Sequence, residues 1–159
     1  MTISKQLKLV PQLVPKPLWG KSAAQIFGRH SLWTQIRSDT LVAANHTCEA
    51  CLAKGIPLDC HEVWHYDDEH GVATLAALKI HCEYCHMAVH IGRAAQHGNR
   101  DAAIAQLCKV NGITPEEAEK LRKNAMAVWS ERSKKKWRIA VEQHLLERYP
   151  QLAALSVND

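Results

Sequence analysis

The residues able to do chemistry are crowded into one stretch. Five of the six cysteines and seven of the ten histidines lie between His46 and His90. The cysteines fall as Cys48-x2-Cys51 and Cys82-x2-Cys85, with Cys60 between the pairs and Cys108 well outside them. Paired C-x2-C spacings in a reducing compartment read as metal ligands rather than disulfides. Four thiolates suit a soft, tetrahedral Zn2+, and a closed four-cysteine shell is structural. The 30 residues from Leu52 to His81 that separate the pairs exceed the roughly 15–20 of a simple zinc ribbon, and leave room for a β-hairpin. Cys60 and Cys108 read as small buried apolar residues.

The histidines point to a second metal. His86 and His90 are four apart on a predicted helix and share one face. Cys85 lies about 100° round that helix, so it can serve the zinc while His86 serves another ion. His61 precedes Glu62 on a predicted strand. A hairpin tied by zinc to the start of the helix brings His61 opposite His86 and His90, and three imidazoles with open coordination positions make a catalytic metal site. The competing reading is ordinary surface or hydrogen-bonded histidines. His61-Glu62-Val63-Trp64-His65 also matches the H-E-x-x-H pattern of zinc proteases, which works only on a helix. On a strand, His61 and His65 stand roughly 13 Å apart, so a metalloprotease is a minor alternative.

The elements that position these groups are predicted as follows. Residues 1–18, with Pro11, Pro15 and Pro17, form an extended basic arm. Ser31 caps a helix that runs to about Ala44, with Leu32, Ile36, Leu41 and Val42 as its apolar positions. Thr47 to Pro57 is a knuckle and loop. Leu58 to Tyr66 is a strand, Asp67 to Gly71 a turn, and Val72 to Ile80 a returning strand or a short helix. Glu83 to about Gln96 is a helix. Beyond it, helices span Asp101 to Val110, Thr114 to about Lys135, and Trp137 to Tyr149. Thr114-Pro115-Glu116-Glu117 is a strong helix start, with Thr as N-cap, Pro at N1 and Glu at N3. The fold class is α+β, in three parts: the arm, a zinc-anchored domain over 19–98, and a helical extension over 99–159 packed on it.

The chain of 159 residues is 47% hydrophobic and 23% charged, which excludes disordered and collagen-like classes. It is long enough for a single core. No apolar run approaches the roughly 20 residues of a membrane helix, and no signal peptide is evident, so a cytoplasmic address without membrane contact is expected. The net charge of +4 is unevenly spread: +6 over residues 1–38, −4 over 39–100 and +2 over 101–159. A basic arm beside an acidic, histidine-rich middle fits a polyanionic partner outside a metal site; solvated surface is the bland alternative. Lys134, Lys135, Lys136 and Arg138 are candidates for phosphate contacts, or equally a solvated helix end. Trp129 and Trp137 read as core anchors.

The run Cys48-x2-Cys51, Asp59-Cys60-His61-Glu62 and Cys82-x2-Cys85-His86-x3-His90 resembles the HNH, or ββα-metal, endonucleases, over residues 48–92. The downstream stretch from Val110 to Trp137 is similar to uncharacterised bacterial proteins of HNH type. The resemblance implies a hairpin and helix around one divalent metal, with His61 as the general base, His86 as a metal ligand and His90 as an additional one. The residue before the base is usually Asp or His, and here it is Cys60. A second register makes His61 the ligand and Glu62 the base. The family's middle Asn has no counterpart between Asn45 and Asn99; Ala77 stands where it often stands, and Thr74, Asp67, Asp68 and His70 are the candidates to replace its role. The implied function is metal-dependent hydrolysis of DNA phosphodiesters, with RNA as a second substrate. The catalytic ion is one of Mg2+, Mn2+, Ni2+ or Zn2+. Two other functions stand beside it: a zinc-stapled nucleic-acid-binding module that has lost catalysis, and an interaction subunit that docks a protein partner or a second copy through its C-terminal helices.

Overall fold

A computed structural model describes residues 6–156; the first part of the predicted arm lies outside that range. The elements in chain order are α1 (Ala23–Phe27), α2 (Ser31–Ala43), β1 (Leu58–Asp67), β2 (Val72–Cys82), α3 (Glu83–Val89), α4 (Ile91–Gln96), α5 (Arg100–Asn111), α6 (Pro115–Arg132), β3 (Arg138–Val141) and α7 (Gln143–Arg148). Short 3-10 helices at Lys16–Leu18 and Pro150–Ser156 precede and follow them. The fold is α+β. No described helix is long and apolar enough to cross a membrane.

The two long strands form an antiparallel hairpin in which Asp59 pairs with His81, His61 with Lys79 and Cys60 with Ile80. Side chains alternate across a strand, so the hairpin has two unlike faces. One face carries Cys60, Trp64, Ala73, Leu75 and Ile80, which join Leu32 and Ile36 of α2, Ile139, Leu145, Leu152 and Leu155 in one core. The other face carries Asp59, His61, Lys79 and His81. A second core packs Leu9 of the arm, the knuckle, α3, α4 and α5 through Cys48, Cys85, Val89, Ile91 and Leu107.

Several elements depart from the sequence-based expectation. The stretch from Trp137 to Tyr149, expected as one helix, contains β3, which pairs in parallel with β2 from Val72↔Arg138 to Leu75↔Val141. The C-terminal part therefore completes the sheet as well as packing on it. Ile139 is buried against the core there, and the open edge of β2 satisfies backbone groups that a helix would have bonded internally. The helix expected over Glu83–Gln96 is broken at His90 (φ −94°, ψ 45°). The Val89 carbonyl, which a continuous helix would bond internally, accepts instead from the Gln12 backbone N–H at 2.9 Å. Helix α2 is capped by His30, whose Nδ1 accepts from the Leu32 N–H, so Ser31 is its first residue. The capping box of Thr114 and Glu117 forms as expected, but α6 stops at Arg132, whose carbonyl accepts from the Trp137 indole. Helix α1 was not anticipated; Ser22 and Gln25 make its capping box.

The described part of the arm is fixed in place. Leu9 is 2% exposed. Asn111, itself buried, accepts from the Lys8 and Leu9 N–H groups with Oδ1 and donates Nδ2 to the Leu9 carbonyl. The Gln12 side chain donates to the Trp64 carbonyl and the Trp129 indole to the Val14 carbonyl. Leu13 lies so close to Gly92 that a Cβ there would stand 2.7 Å from Leu13 Cδ2.

Candidate metal centres and the groove beside them

The four paired cysteines converge. The ligand atoms of Cys48, Cys51, Cys82 and Cys85 all lie within 4.8 Å of one another, and all six cysteines of the chain are free thiols. An ion about 2.3 Å from each of four tetrahedral sulfurs sets those sulfurs about 3.8 Å apart; Cys51 Sγ and Cys82 Sγ are 3.7 Å apart. The donor set and this spacing fit a metal ion and are compatible with zinc. The knuckle reaches this geometry through Leu52, which adopts φ 67°, and through the Cys48 N–H bond to the Ala53 carbonyl. Glu49 locks it onto β2: its N–H donates to the Ile80 carbonyl and its carboxylate accepts the Ile80 N–H at 2.6 Å. Gln106 Nε2 donates to Cys85 Sγ at 3.2 Å. Burial pushes the Cys82 and Cys85 thiols up. For Cys48 burial acts in the same sense, but nearby backbone N–H groups outweigh it and bring the thiol down to about 7. Desolvated sulfurs of this kind ionise together only around a cation.

The histidine cluster draws on the same hairpin and the helix that follows it. The ligand atoms of His61, His86 and His90 also lie within 4.8 Å of one another. Their ring centroids are 5.3 Å apart for His61 and His86, 5.4 Å for His61 and His90, and 4.8 Å for His86 and His90. His90 sits at the break between α3 and α4, where the arm captures the Val89 carbonyl. Burial, joined by the neighbouring imidazoles, holds His61 down to about 2 and His90 down to about 4. Both rings are therefore neutral near pH 7, the form in which an imidazole binds a metal. Asp59 Oδ2 lies 3.2 Å from His86 Nδ1. A proton on Nδ1, held by that carboxylate, leaves Nε2 with its lone pair, the usual support for a metal-binding histidine.

Glu62, expected as an alternative base, lies on the opposite face of β1. Its two oxygens accept the Ala23 and Ala24 N–H groups at 2.7 and 3.1 Å. Burial raises its pKa against the lowering effect of those bonds. It anchors the start of α1, and a carboxylate so placed is out of reach of the imidazoles. The strand geometry likewise removes the protease reading: His61 is buried and His65 exposed on a single extended strand. The candidates to replace the role of the middle Asn are also remote. Asp67, Asp68 and His70 sit at the hairpin tip, six positions from His61 along β1 or beyond it, roughly 20 Å away. Asp67 accepts from the Glu69 and His70 N–H groups there. Thr74 pairs with His65, also far from the cluster.

The basic run lies at the same tip. Lys134 pairs with Glu131 at 2.7 Å, and Lys135 donates to the Asp68 carbonyl at 2.8 Å. Arg138 is in β3 with its N–H on the Gly71 carbonyl, and Lys136 is exposed beside that turn. None of the four lies at the histidines.

Sequence reading missed His81, Lys79 and the surface they share. His81 stacks on His61 with centroids 4.9 Å apart. It is 7% exposed, and its Nδ1 has no hydrogen-bond partner. Burial holds it down to about 4. Lys79 is the cross-strand partner of His61. A groove of about 530 Å³ runs between the arm and α6, with His61 and His81 in its lining. The signal was present in the alternation of Asp59-x-His61 and Lys79-x-His81, which places all four on one face of a hairpin.

No family model matches the chain, and neither a curated protein nor a solved structure does. The site is accordingly defined by its own chemistry: a four-thiol cluster able to hold a metal ion, and an imidazole cluster with the donor set to hold another.

Proposed function

We propose that this protein is a metal-dependent phosphodiesterase acting on DNA, an endonuclease of HNH type. One observation carries the reading: the ligand atoms of three imidazoles from a hairpin and the helix that follows it converge within 4.8 Å of one another, beside a thiol cluster that ties the same hairpin to the same helix.

His86 and His90 would hold the divalent ion, with Asp59 fixing the His86 tautomer. Such an ion supplies positive charge for the oxygens of the reacting phosphate. His61 is the base. It is neutral and buried at 6% exposure, so its lone pair is free to take a proton from water. Its basicity is suppressed by burial and by neighbouring imidazoles, and the negative charge of an arriving phosphodiester raises it again. Lys79, opposite His61, adds a cation at the same place. The thiol cluster, with zinc as the proposed ion, keeps β1, β2 and α3 in register. Cytoplasmic DNA, with RNA as a second substrate, remains the proposed target.

A second reading has its own support. The isolation of Glu62 and the lack of a middle Asn favour a nucleic-acid-binding module without catalysis. Hydrolysis of an activated phosphodiester, bis(p-nitrophenyl) phosphate, separates the two. The catalytic reading expects turnover that depends on Mn2+, Mg2+, Ni2+ or Zn2+, is lost in His61→Ala, and is retained within a few-fold in Glu62→Gln. Absence of turnover with every metal would support the binding module.

A further inference from the structure

We infer that the groove between the arm and α6 is the path of a single nucleic-acid strand, which enters with its phosphates along Lys8 and Lys79 and reaches the histidines from that side. This rests on the phosphodiester reading of the histidine cluster and names the form of its substrate.

Access is the first argument. His61 and His81 line the groove yet are only 6% and 7% exposed. The groove, about 530 Å³, has the size of a small-ligand site. One flexible strand brings a phosphodiester to rings so deeply set more readily than a rigid duplex, which reaches them only where it opens locally, as underwound supercoiled plasmid does.

Charge is the second. Lys8, Lys79 and Arg132 line the groove, and no carboxylate does. Arg132 is held by Asp68 at 2.8 Å. Lys8 and Lys79 are exposed, and neither has an ion-pair partner among the described residues. The chain thus offers two uncompensated ammonium groups here, while two of the four residues of the basic run at the hairpin tip are engaged with Glu131 and Asp68.

The walls supply the third. Val10 and Val128 are 48% and 45% exposed and line the groove with Trp129. Apolar and aromatic surface beside cations is the combination that single-strand binding uses, the bases on one and the phosphates on the other.

Fluorescence anisotropy with a labelled single-stranded oligonucleotide and its duplex tests this. It uses the full zinc-loaded chain without added divalent ion, so that binding is read apart from cleavage. The strand is expected to bind more tightly than the duplex. Two neutralised phosphates give a slope of about −1.4 for log affinity against log salt. Lys8→Glu combined with Lys79→Glu should weaken strand binding by about tenfold or more and abolish the salt slope; the milder pair Lys8→Gln and Lys79→Gln should do so in part. Lys134→Glu combined with Lys136→Glu should stay within about twofold. Duplex preference, no binding, or wild-type binding by both Lys8/Lys79 pairs, with zinc content and circular dichroism unchanged, would overturn the groove. Nicking assayed in parallel keeps the two claims apart. His61-dependent cleavage with strand binding indifferent to Lys8 and Lys79 would sink the groove alone, and groove-dependent binding without cleavage would sink the nuclease alone.

Discussion

His61, His81 and His90 sit where a positive charge finds little water and no carboxylate to offset it. Asp59 reaches only His86. The cluster therefore carries a pH signature. His81 and His90 are held down to about 4 and His61 to about 2, first by burial and then by neighbouring imidazoles and cations, against about 6.5 in an unfolded chain. A histidine with a depressed folded pKa stabilises the fold above its unfolded value, and that stability is lost as pH falls toward the folded value. Urea unfolding without added divalent ion should therefore show stability dropping between about pH 6.5 and 4, by about 3 kcal/mol for His81 alone. His81→Gln should flatten that drop. A flat profile over this window would mean the rings are solvated. Asp59 makes a second prediction at this scale. Asp59→Asn loses the charged acceptor that orients His86, and should weaken metal binding at the imidazoles by about 10–100-fold while leaving zinc at the thiols. Calorimetric titration with Mn2+ or Ni2+ reads this directly.

At the scale of elements, the hairpin is a two-sided device. One face is core; the other presents Asp59, His61, Lys79 and His81 to α3 and to the groove. The arm closes that groove through Asn111, which binds Lys8 and Leu9 by three hydrogen bonds. Asn111→Ala leaves those backbone groups without partners and should cost about 2–3 kcal/mol, with faster hydrogen exchange at residues 8–13; unchanged exchange would show that the arm is held by its apolar contacts alone. How much of this was legible follows from range along the chain. The C-x2-C pairs, the β1 strand and the Thr114 capping box are local patterns, and they could be read directly. The break at His90 could not, because the Val89 carbonyl it frees is taken by the Gln12 backbone, far away in sequence. The strand at Arg138–Val141 was hidden for a similar reason: four residues after a lysine run look like a helix start until the free edge of β2 is known. His81 and Lys79 were missed because the alanines of Val72 to Ile80 blur its period, and without a firm strand there is no face to assign them to. Glu62 was placed beside His61 by sequence adjacency, which on a strand puts it on the opposite side.

For the whole molecule, the thiol cluster joins parts that are otherwise held only by the small second core and the Glu49 hydrogen bonds to Ile80. It links the knuckle, the end of β2 and α3, and its sulfurs are part of the second core. Zinc-dependent small domains gain their folding energy from the ion. Strong chelation should therefore unfold the 48–92 region cooperatively and scatter the three histidines, lowering the melting temperature by more than 10 °C, by about the ratio expected for a loss of a few kcal/mol. Weak chelation that strips only the imidazole-bound ion should leave circular dichroism and melting nearly unchanged.

The nuclease reading is tested most directly by nicking of supercoiled plasmid. The assay uses chelator-washed protein that retains zinc at the thiols, with Mg2+, Mn2+, Ni2+ or Zn2+ restored one at a time, beside His61→Ala and His86→Ala. The account predicts metal-dependent nicking by the wild type that each substitution abolishes while the thiol-bound zinc stays at one ion per chain. Nicking that survives both substitutions, or none with any metal from a folded and zinc-loaded protein, would contradict it.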